Sequence, residues 1–207
     1  KNLGSAIVAF SGGIDSTLVL KAAYDSLGSN AVAVTADSPS LPRKELEEAK
    51  KTAKDIGARH LIIQTEETSE ENYLKNPSNR CYYCKTELYS KLKEVSEELG
   101  IKNILNGTNF DDLGDYRPGL KAADENNVIS PLKDAKLTKN EIRKLAKHLG
   151  LEAWDKPSSP CLSSRIPYGQ NITMQKLSMI EKAEELLKKL GIRELRVRHF
   201  GNIARIE

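Results

Sequence analysis

The chain has 207 residues, a length that suits one domain of ordinary size together with a small appendage. Its 32 Lys and Arg residues against 29 Asp and Glu leave a net charge of +3, which is too mild for a protein that coats nucleic acid or a membrane. A hydrophobic fraction of 39% beside a charged fraction of 29% excludes general disorder. The composition therefore favours a globular protein that acts on a small or phosphorylated substrate.

The N-terminal residues and the hydropathy pattern bear on localisation. No stretch approaches the roughly 18 uninterrupted apolar residues of a membrane span, and the N-terminus lacks the pattern of a signal peptide. We therefore expect a cytoplasmic protein. Because Lys1 is not a methionine, a tag or a short leader ahead of it is left open.

The first half of the chain alternates buried-strand patterns with helical patterns. Residues Ala6–Phe10 form an apolar run typical of a strand buried on both faces, and a helical period begins at Asp15 and ends near Gly28. The same pattern repeats in a second strand, a second helix and a third strand: Ala31–Ala36, Arg43–Ile56 and Leu61–Gln64. This alternation predicts βαβ winding and a parallel sheet.

Longer connections and shorter elements follow. A polar, irregular segment over Glu66–Arg80 leads into a helix that opens with Cys81 and Cys84 and ends at Gly100. Two short strands and a helix opened by a capping box are predicted next: Ile104–Leu105, Val128–Ile129 and Thr138–His148. The α/β part is expected to end near there.

The C-terminal segment differs in composition. Residues 155–171 are rich in Pro, Ser and Gly and carry Cys161, which favours an active-site loop over a plain linker. An amphipathic helix over Met174–Leu190 precedes a hairpin whose strands, Leu195–Phe200 and Ile203–Ile206, flank a Gly-Asn turn. Because the sequence stops inside a strand, we expect a further segment or a partner subunit to cover that edge.

These patterns predict a fold class and an organisation. The class is α/β, with a parallel twisted sheet that has helices on both faces. We expect an ATP-binding domain over 1–153, a cysteine-bearing loop over 154–171, and a small, truncated α+β domain over 172–207.

A glycine-rich hexapeptide, SGGIDS, lies where the first strand gives way to the first helix. Unpaired amide groups and the positive end of the helix dipole converge there, so the turn predicts an anion site. Gly12 and Gly13 allow close backbone approach, Ser11 and Ser16 add hydroxyl donors, and Asp15 can hold Mg²⁺. The hexapeptide has no lysine of the kind that reaches the γ-phosphate in kinases, which disfavours γ-phosphoryl transfer.

The hexapeptide resembles the pyrophosphate loop, Ser-Gly-Gly-x-Asp-Ser, of the ATP pyrophosphatases that include GMP synthetase, asparagine synthetase and the tRNA thiolation enzymes. Every fixed position matches. The resemblance implies a PP-loop fold similar to the adenine nucleotide alpha hydrolases, and ATP cleavage between the α- and β-phosphates that adenylates a substrate oxygen. It also implies that the backbone around Thr35 holds adenine and that Gly107 lines the ATP site, although Thr35 is equally compatible with an ordinary strand end.

The three cysteines point to metal or sulfur chemistry. Cys81, Cys84 and Cys161 are too few and too spread for a disulfide framework, and they supply three thiolates with no obvious fourth ligand. A closed zinc site needs four ligands, and none of the three histidines lies at a short ligand spacing from a cysteine. Three thiolates suit a [4Fe–4S] cluster with one open iron. The alternatives are that Cys161 is a nucleophile beside two ordinary cysteines, that the thiols bind a zinc ion, or that they bind no metal.

Longer motifs make the chain similar to the LarE sulfur transferases, which make the nickel-pincer nucleotide cofactor. These motifs run through nearly the whole chain: Phe10–Thr17, Arg80–Lys85, Gly107–Gly119, Ser130–Leu132 and Pro160–Gly169. The resemblance implies that ATP adenylates a carboxylate of a pyridinium dicarboxylate mononucleotide and that sulfur then displaces AMP to give a thiocarboxylate.

The number of cysteines separates two kinds of LarE protein. Members with a lone cysteine at the position of Cys161 give up that side chain's own sulfur. Members with three cysteines are similar to cluster proteins, so the resemblance implies a cluster on Cys81, Cys84 and Cys161 that carries the transferred sulfide and spares Cys161. The family's small C-terminal domain also continues past the hairpin seen here.

The resemblance further implies roles for individual side chains. Guanidinium groups match the substrate's phosphate or carboxylates bidentately. The implied catalytic residues are Cys161, Asp15 and Arg165, and the implied substrate-binding residues are Ser164, Arg165, Glu184, Arg196 and Arg198. The alternatives are a solvent-facing strand for Arg196 and Arg198 and a solvated helix face for Glu184. Asp112 and Asp115 either assist magnesium and substrate or simply form turns.

Several other functions remain open at this point. A tRNA thiolase with the same cluster is disfavoured because the sequence has neither a cysteine-rich zinc module ahead of the first strand nor a large basic cluster. A non-catalytic nucleotide- or metal-binding scaffold is the second rival, and an amidating enzyme, which needs an ammonia source, is the third. We expect a small-molecule nucleotide substrate, no membrane or nucleic-acid partner, and a homo-oligomer, whereas the sequence does not identify the sulfur donor.

Overall fold

The computed structural model describes residues 2–192 and 194–207. The strands are β1 Ala6–Ala9, β2 Ala31–Asp37, β3 Arg59–Gln64, β4 Ile104–Leu105, β5 Val197–Phe200 and β6 Ile203–Ile206. The helices are α1 Ile14–Leu27, α2 Arg43–Ile56, α3 Glu71–Leu74, α4 Arg80–Leu99, α5 Pro118–Glu125, α6 Pro131–Asp134, α7 Lys139–His148 and α8 Met174–Lys189. Within the described residues, no helix has both the length and the apolar character that crossing a bilayer requires.

The first four strands form one parallel sheet in the order β3-β2-β1-β4. Ile7 of β1 lies opposite Val32 of β2 on one side and Ile104 of β4 on the other. This all-parallel pairing confirms the predicted α/β class. The fifth strand predicted at Val128–Ile129 was wrong, because Ile129 forms only a single parallel bridge with Leu105. Pro131 follows two residues later, starts α6 and leaves no room for a longer strand.

Helices cover both faces of the sheet, as predicted. Alternate side chains of β1 and β2 enter different cores: Val8 and Ala33 pack with α1, α2 and α7, whereas Ile7 and Val32 pack with α4 and α5. Side chains alternate between faces along a strand, so a strand with helices on both sides reads as a continuous apolar run. The run at the start of the chain is therefore explained by two separate cores.

Local signals at the helix ends explain most element boundaries. Helix α2 ends at Gly57, whose φ of 86° requires the left-handed conformation that glycine adopts readily. Helix α7 begins with the predicted capping box, in which Glu141 N donates to Thr138 Oγ1 and Thr138 N donates to Glu141 Oε2. Helices α5 and α6 were not predicted, although each starts with a proline in its first turn, where proline is favoured.

A third apolar cluster joins the cysteine-bearing loop to the rest of the molecule. Its buried members come from α3, from residues 162–172 and from α8: Tyr73, Leu162, Ile166, Ile172, Leu177 and Ile180. Tyr83 and Cys84 of α4 pack against this cluster. Residues 155–171 are therefore folded against the start of α4, which brings Cys161 toward the other two cysteines.

The C-terminal hairpin follows its predicted outline. Strands β5 and β6 pair in antiparallel orientation, with Val197 opposite Ile206 and Phe200 opposite Ile203. The turn between them contains Gly201, whose φ is 68°. Val197 is buried, whereas all four residues of β6 are exposed. The hairpin thus adds a small two-stranded antiparallel sheet beside α8.

Candidate active site

The nucleotide loop between β1 and α1 is closed by its own hydroxyl groups. Ser16 Oγ donates to the Gly13 carbonyl at 3.1 Å and accepts from Ser11 N at 3.2 Å. Gly13 is the N-cap of α1 and provides no side-chain cap, so the first amides of the helix have no side-chain partner there. The loop therefore presents backbone donors at the positive end of α1, as an anion site requires.

Two glycines allow close packing around this loop. Gly12 has a φ of 70°, and a Cβ placed on it would lie 3.0 Å from the Cα and Cβ of Ala49 in α2. A Cβ on Gly107, just after β4, would lie 2.7 Å from the Ser16 amide nitrogen. The end of β4 is therefore pressed against the nucleotide loop at a position where only glycine fits.

Replacing Gly107 by alanine is expected to displace the Ser16 amide and to weaken ATP binding about tenfold or more, since an error of about 1 Å in such a site costs that much. Isothermal titration with a non-hydrolysable ATP analogue measures the effect. The matched control is Gly114→Ala, because a Cβ on Gly114 meets no atom within 4 Å. Equal affinity in the two variants would contradict the assignment of Gly107 to the nucleotide site.

Asp15 is paired with a lysine that was not predicted from the sequence. Lys139 Nζ lies 2.5 Å from Asp15 Oδ2, and Asn109 Nδ2 donates to Asp15 Oδ1 at 3.3 Å. Lys139 is the first residue of α7, directly after the Thr138 cap, so the capping box holds it beside the loop. The hexapeptide itself lacks a lysine, but the fold supplies one from a distant helix.

A cavity of about 750 Å³ connects the nucleotide loop to the cysteine site. One part of its lining includes Ser11, Asp15, Ser16 and Gly107, and another part includes Cys81. Other lining residues come from the loop after β4, from α4 and from the cysteine-bearing loop: Asn109, Asp112, Asp115, Arg117, Lys85, Ser158 and Tyr168. One open cavity can therefore hold a nucleotide and a second ligand next to a thiol.

The cations beside Cys81 were also not predicted. Lys85, one turn after Cys81 on α4, lines the cavity. Burial lowers its pKa, but Tyr89 and the cysteine thiols act more strongly together, so the pKa of Lys85 lies above its ordinary value. Arg117 Nη2 pairs with Asp112 Oδ1 at 2.9 Å. Lys85 is part of the motif Arg80–Lys85. Its membership of that motif is the sequence feature from which a role at the site could have been predicted.

Cys81 lines this cavity, and the three cysteines influence one another's pKa. Cys81 is exposed toward the cavity, whereas Cys84 and Cys161 are half-buried. Burial raises the pKa of the Cys84 thiol to about 12. Burial also raises the pKa of Cys81, and the nearby Cys161 adds to that shift, while Arg80, Lys85 and Arg117 act in the opposite direction. The protein environment thus holds Cys84 as a neutral thiol when no other ligand is present.

Buried polar contacts fix the loop that carries Cys161. The Leu162 amide donates to the Ser40 carbonyl at 2.8 Å, and the hydroxyls of Tyr73 and Ser163 lie 2.6 Å apart. Ser40 Oγ in turn donates to the buried Glu67 carboxylate at 2.9 Å. Hydrogen bonds of the two residues after Cys161 therefore hold the loop against Ser40 and Tyr73.

Arg165 and Glu184 form a buried ion pair. Both are 3% exposed, and Arg165 Nε and Nη2 donate to the two oxygens of Glu184 at 2.8 and 3.2 Å. Arg165 Nη1 also donates to the Cys161 carbonyl at 3.1 Å and to Ser164 Oγ at 3.0 Å. The pair ties Cys161 to α8, and neither residue is among those that line the cavity. Their predicted substrate contact stays a prediction.

The remaining predicted residues lie outside the cavity lining. Arg198 Nε donates to Glu207 Oε2 at 2.6 Å, and its Nη1 donates to the Ser164 carbonyl at 3.3 Å. The backbone of Arg196 pairs with that of Glu207. Thr35 is buried, and its Oγ1 donates to the Phe10 carbonyl at 2.7 Å. The Thr35 hydroxyl is thus engaged within the sheet, and the adenine contact of this segment stays a prediction.

Lys156 links the cysteine-bearing loop to the nucleotide loop. Its Nζ lies 2.7 Å from Glu45 Oε2 and 2.8 Å from Glu48 Oε2 in α2, and it donates to the Gly12 carbonyl at 3.4 Å. Burial lowers the pKa of Lys156, but the two carboxylates outweigh that effect and raise it. No sequence pattern indicates this contact, because the partners are more than 100 positions apart.

The thiols do not form a site for a single metal ion. Over residues 2–192 and 194–207, no group of three or more His, Cys, Asp and Glu side chains is arranged to hold one. Thiolates that bind three different irons of a cluster lie farther apart than three ligands of one ion, so this finding bears on zinc more than on a cluster. The three thiols influence one another's pKa, and the cluster on them stays a prediction.

Comparison with known proteins places the chain in a family. Residues 5–152 match the family described as the arginosuccinate synthase N-terminal HUP domain. Over 208 residues the chain is 40% identical to the pyridinium-3,5-bisthiocarboxylic acid mononucleotide synthase of Lactiplantibacillus plantarum, covering 100% of this chain and 75% of that protein. The chain belongs to the LarE family. The family resemblance inferred from the motifs is thereby confirmed.

Other relatives of this LarE-family chain extend the comparison. An uncharacterised protein of Synechocystis sp. is 51% identical over 205 residues, which cover 99% of this chain and 76% of that protein. A glutamine-hydrolysing GMP synthase of Sulfurisphaera tokodaii is 26% identical over 205 residues, covering 90% of this chain and 54% of that protein. The PP-loop α/β fold is therefore shared with enzymes outside the LarE family.

Proposed function

We propose that the protein is an ATP-dependent sulfur transferase that converts a carboxylate of a pyridinium dicarboxylate mononucleotide into a thiocarboxylate. One observation carries the proposal: a single cavity of about 750 Å³ has the nucleotide loop in one part of its wall and Cys81 in another. The 40% identity to the Lactiplantibacillus plantarum synthase supports the class of acceptor. Adenylation and sulfur delivery can then occur without release of the activated acceptor.

In the first step, an oxygen of the acceptor carboxylate attacks the α-phosphorus of ATP, and the bond to the β-phosphate oxygen breaks to release pyrophosphate. The amides at the start of α1, together with the hydroxyl of Ser11, bind the leaving phosphates. Asp15 would hold Mg²⁺ on these phosphates, and Lys139, released from Asp15, would add a second positive charge. The loss of pyrophosphate leaves an acyl adenylate.

In the second step, a sulfur nucleophile attacks the carbonyl carbon of the acyl adenylate, and the carbon–oxygen bond to AMP breaks. Adenylation makes AMP a good leaving group, so a soft sulfur nucleophile suffices. Lys85 lines the cavity together with Cys81, and its charge matches a phosphate or a second carboxylate. Arg117 also lines the cavity but is paired with Asp112 and Asp115, so it would have to leave them to bind the acceptor. The charge of Lys85 therefore supports an acidic acceptor.

The proposed sulfur carrier is a [4Fe–4S] cluster on Cys81, Cys84 and Cys161. A cluster with three thiolate ligands supplies an open iron that can carry the transferred sulfur. The chain's own contribution is to bring the thiols together: α4 presents Cys81 and Cys84 one turn apart, and Arg165 anchors the Cys161 carbonyl. Iron binds the ionised thiolate and not the neutral thiol. Iron binding must therefore remove the proton from Cys84, whose pKa is raised by burial.

A sacrificial Cys161 is the alternative sulfur source. Cys161 is not among the residues that line the cavity, whereas Cys81 is. Direct attack by the Cys161 thiol would therefore require the loop to move. This placement favours the cluster-borne source over the sacrificial one.

The nucleotide products test the proposed reaction class. Incubation with ATP and the pyridinium dicarboxylate mononucleotide is expected to yield AMP and pyrophosphate, which anion-exchange chromatography separates from ADP and phosphate. Omission of the acceptor, which supplies the attacking oxygen, is the control and should suppress both products. A stoichiometric ADP peak would contradict the proposal and would indicate that Lys139 supports γ-phosphate chemistry instead.

A further inference from the structure

An exposed tyrosine on the cysteine-bearing loop lines the cavity. Tyr168 is 62% exposed, and it shares the cavity wall with Cys81 and Lys85. A single exposed tyrosine is common on protein surfaces, so its support and its location decide whether it has a function. Both features set Tyr168 apart from an ordinary surface side chain.

Tyr168 lies in a tight turn with a fixed backbone. Gln170 N donates to the Pro167 carbonyl at 3.1 Å and closes the turn. Gly169, the third residue of the turn, has a φ of 80°, as a type II turn requires. Tyr168 therefore lies at the second position of the turn.

A buried asparagine holds this turn against the rest of the molecule. Asn76 is fully buried, and its Nδ2 donates to three carbonyl groups at 3.2, 2.8 and 3.1 Å: those of Ile166, Pro167 and Gln170. The Asn76 carbonyl accepts from Gly169 N at 2.9 Å. These contacts fix the backbone on both sides of Tyr168, so the tyrosine is held in place without being buried.

A buried cation supports the ring of Tyr168. Arg80 is 5% exposed, and its Cζ lies over the ring, 5.0 Å from the ring centroid. Arg80 Nη1 donates to Asn76 Oδ1 at 2.8 Å, so the same asparagine fixes the turn and the cation. The ring is thus positioned before a ligand binds, which lowers the entropy cost of a stacking contact.

The location of the ring indicates the class of its ligand. Arg80 is the first residue of α4 and directly precedes Cys81, so the ring of Tyr168 rests on the helix start that carries this thiol. Lys85 lies one turn farther along the same helix and also lines the cavity. An aromatic ring and a cation in one wall suit a flat ligand that carries acidic groups.

We propose that Tyr168 is a specificity residue whose ring stacks on the pyridinium ring of the acceptor and holds the acceptor beside Cys81. The pyridinium ring is electron-poor, whereas the face of a tyrosine ring is electron-rich, so the two rings attract each other. The proposal deepens the sulfur-transfer function above and rests on it. It also gives the tyrosine of the Pro160–Gly169 motif a role distinct from that of Cys161.

The test measures the binding of the two substrates separately. Isothermal titration with the pyridinium dicarboxylate mononucleotide, in the presence of a saturating non-hydrolysable ATP analogue, compares wild type, Tyr168→Phe and Tyr168→Leu. Loss of a stacked ring weakens binding about tenfold, so this loss is expected for Tyr168→Leu. Tyr168→Phe keeps the ring and should bind the acceptor nearly as well as wild type. The affinity for the ATP analogue alone should be the same in all three proteins.

Trp154→Leu is the matched control. Trp154 lies at the start of the same loop, is 36% exposed and also has a cation over its ring, with Lys147 Nζ 4.4 Å from the ring centroid. It is not among the residues that line the cavity. Trp154→Leu should therefore leave the affinity for the acceptor unchanged.

The outcomes separate this inference from the proposed function. Wild-type protein that does not bind the pyridinium acceptor would overturn both. Equal acceptor affinity in wild type and Tyr168→Leu would overturn only the role of Tyr168. Equal losses of affinity for the acceptor and for the ATP analogue would also overturn that role, because they would indicate a general change in the cavity. Circular dichroism checks folding, and Tyr168→Gln, with the same expected loss, replaces Tyr168→Leu if that variant does not fold.

Discussion

Replacing Asp15 by asparagine is expected to reduce ATP-dependent pyrophosphate release about 100-fold or more while the fold persists. The substitution removes the negative charge with which Asp15 would hold magnesium on the phosphates. Removing one charged group that stabilises the transition state typically lowers a reaction rate by this factor. Asp15 is half-buried, and its side chain contacts Lys139 and Asn109 at the cavity, away from the three apolar clusters. A coupled pyrophosphate assay measures the rate, and circular dichroism checks the fold.

Asp25→Asn is a matched control for this change. Asp25 lies on the same helix and also pairs with a lysine, Lys21, at 2.5 Å, but on the surface. Surface pairs of this kind contribute about 0–1 kcal/mol, so Asp25→Asn should leave both stability and activity nearly unchanged. Equal pyrophosphate release by wild type and Asp15→Asn would remove Asp15 from the nucleotide site.

Substituting any one of the three cysteines by alanine is expected to lower iron content and sulfur transfer together, each about tenfold or more, while adenylation persists. A cluster with only two protein thiolates is poorly held, whereas the nucleotide loop is separate from Cys84 and Cys161. Anaerobic purification, iron and sulfide analysis, and mass spectrometry of the acceptor product measure these effects. Ser90→Ala, at an exposed position of the same helix as Cys81 and Cys84, controls for changes in α4.

The opposite pattern would identify the sacrificial mechanism. In that case wild-type protein binds no iron, Cys81→Ala and Cys84→Ala retain sulfur transfer, and Cys161 alone becomes dehydroalanine after one turnover. Mass spectrometry detects that change as the loss of the elements of hydrogen sulfide from the single peptide that contains Cys161. Either pattern therefore assigns the source of the transferred sulfur.

Local signals allowed most of the fold to be predicted from the sequence. The buried run Ala6–Phe10, the capping box at Thr138 and the turn glycine Gly201 each specify structure through contacts within a few residues. The predicted fifth strand failed because the length of a strand also depends on the residues after it: Pro131 ends the segment before a ladder can form.

The candidate site was harder to predict, because long-range contacts decide which side chains meet. The glycine-rich hexapeptide and the three cysteines were visible as motifs, but nothing near Asp15 in the sequence points to Lys139, 124 positions away. Glu184 was assigned to the substrate or to solvent, and in the structure it neutralises the buried Arg165. Charge pairs between distant elements have no periodic signature, so the sequence left these partners undetermined.

The loop that carries Cys161 is anchored to two different parts of the molecule. Lys156 attaches one end to the Gly12 carbonyl, and Arg165 attaches the other end to Glu184 on α8. Nucleotide phosphates that fix the backbone of Gly12 therefore act on the same segment that carries the sulfur ligand. Such a connection is thermodynamically reciprocal: if ATP orders this segment, then a ligand that orders the cysteine end tightens ATP binding by the same factor.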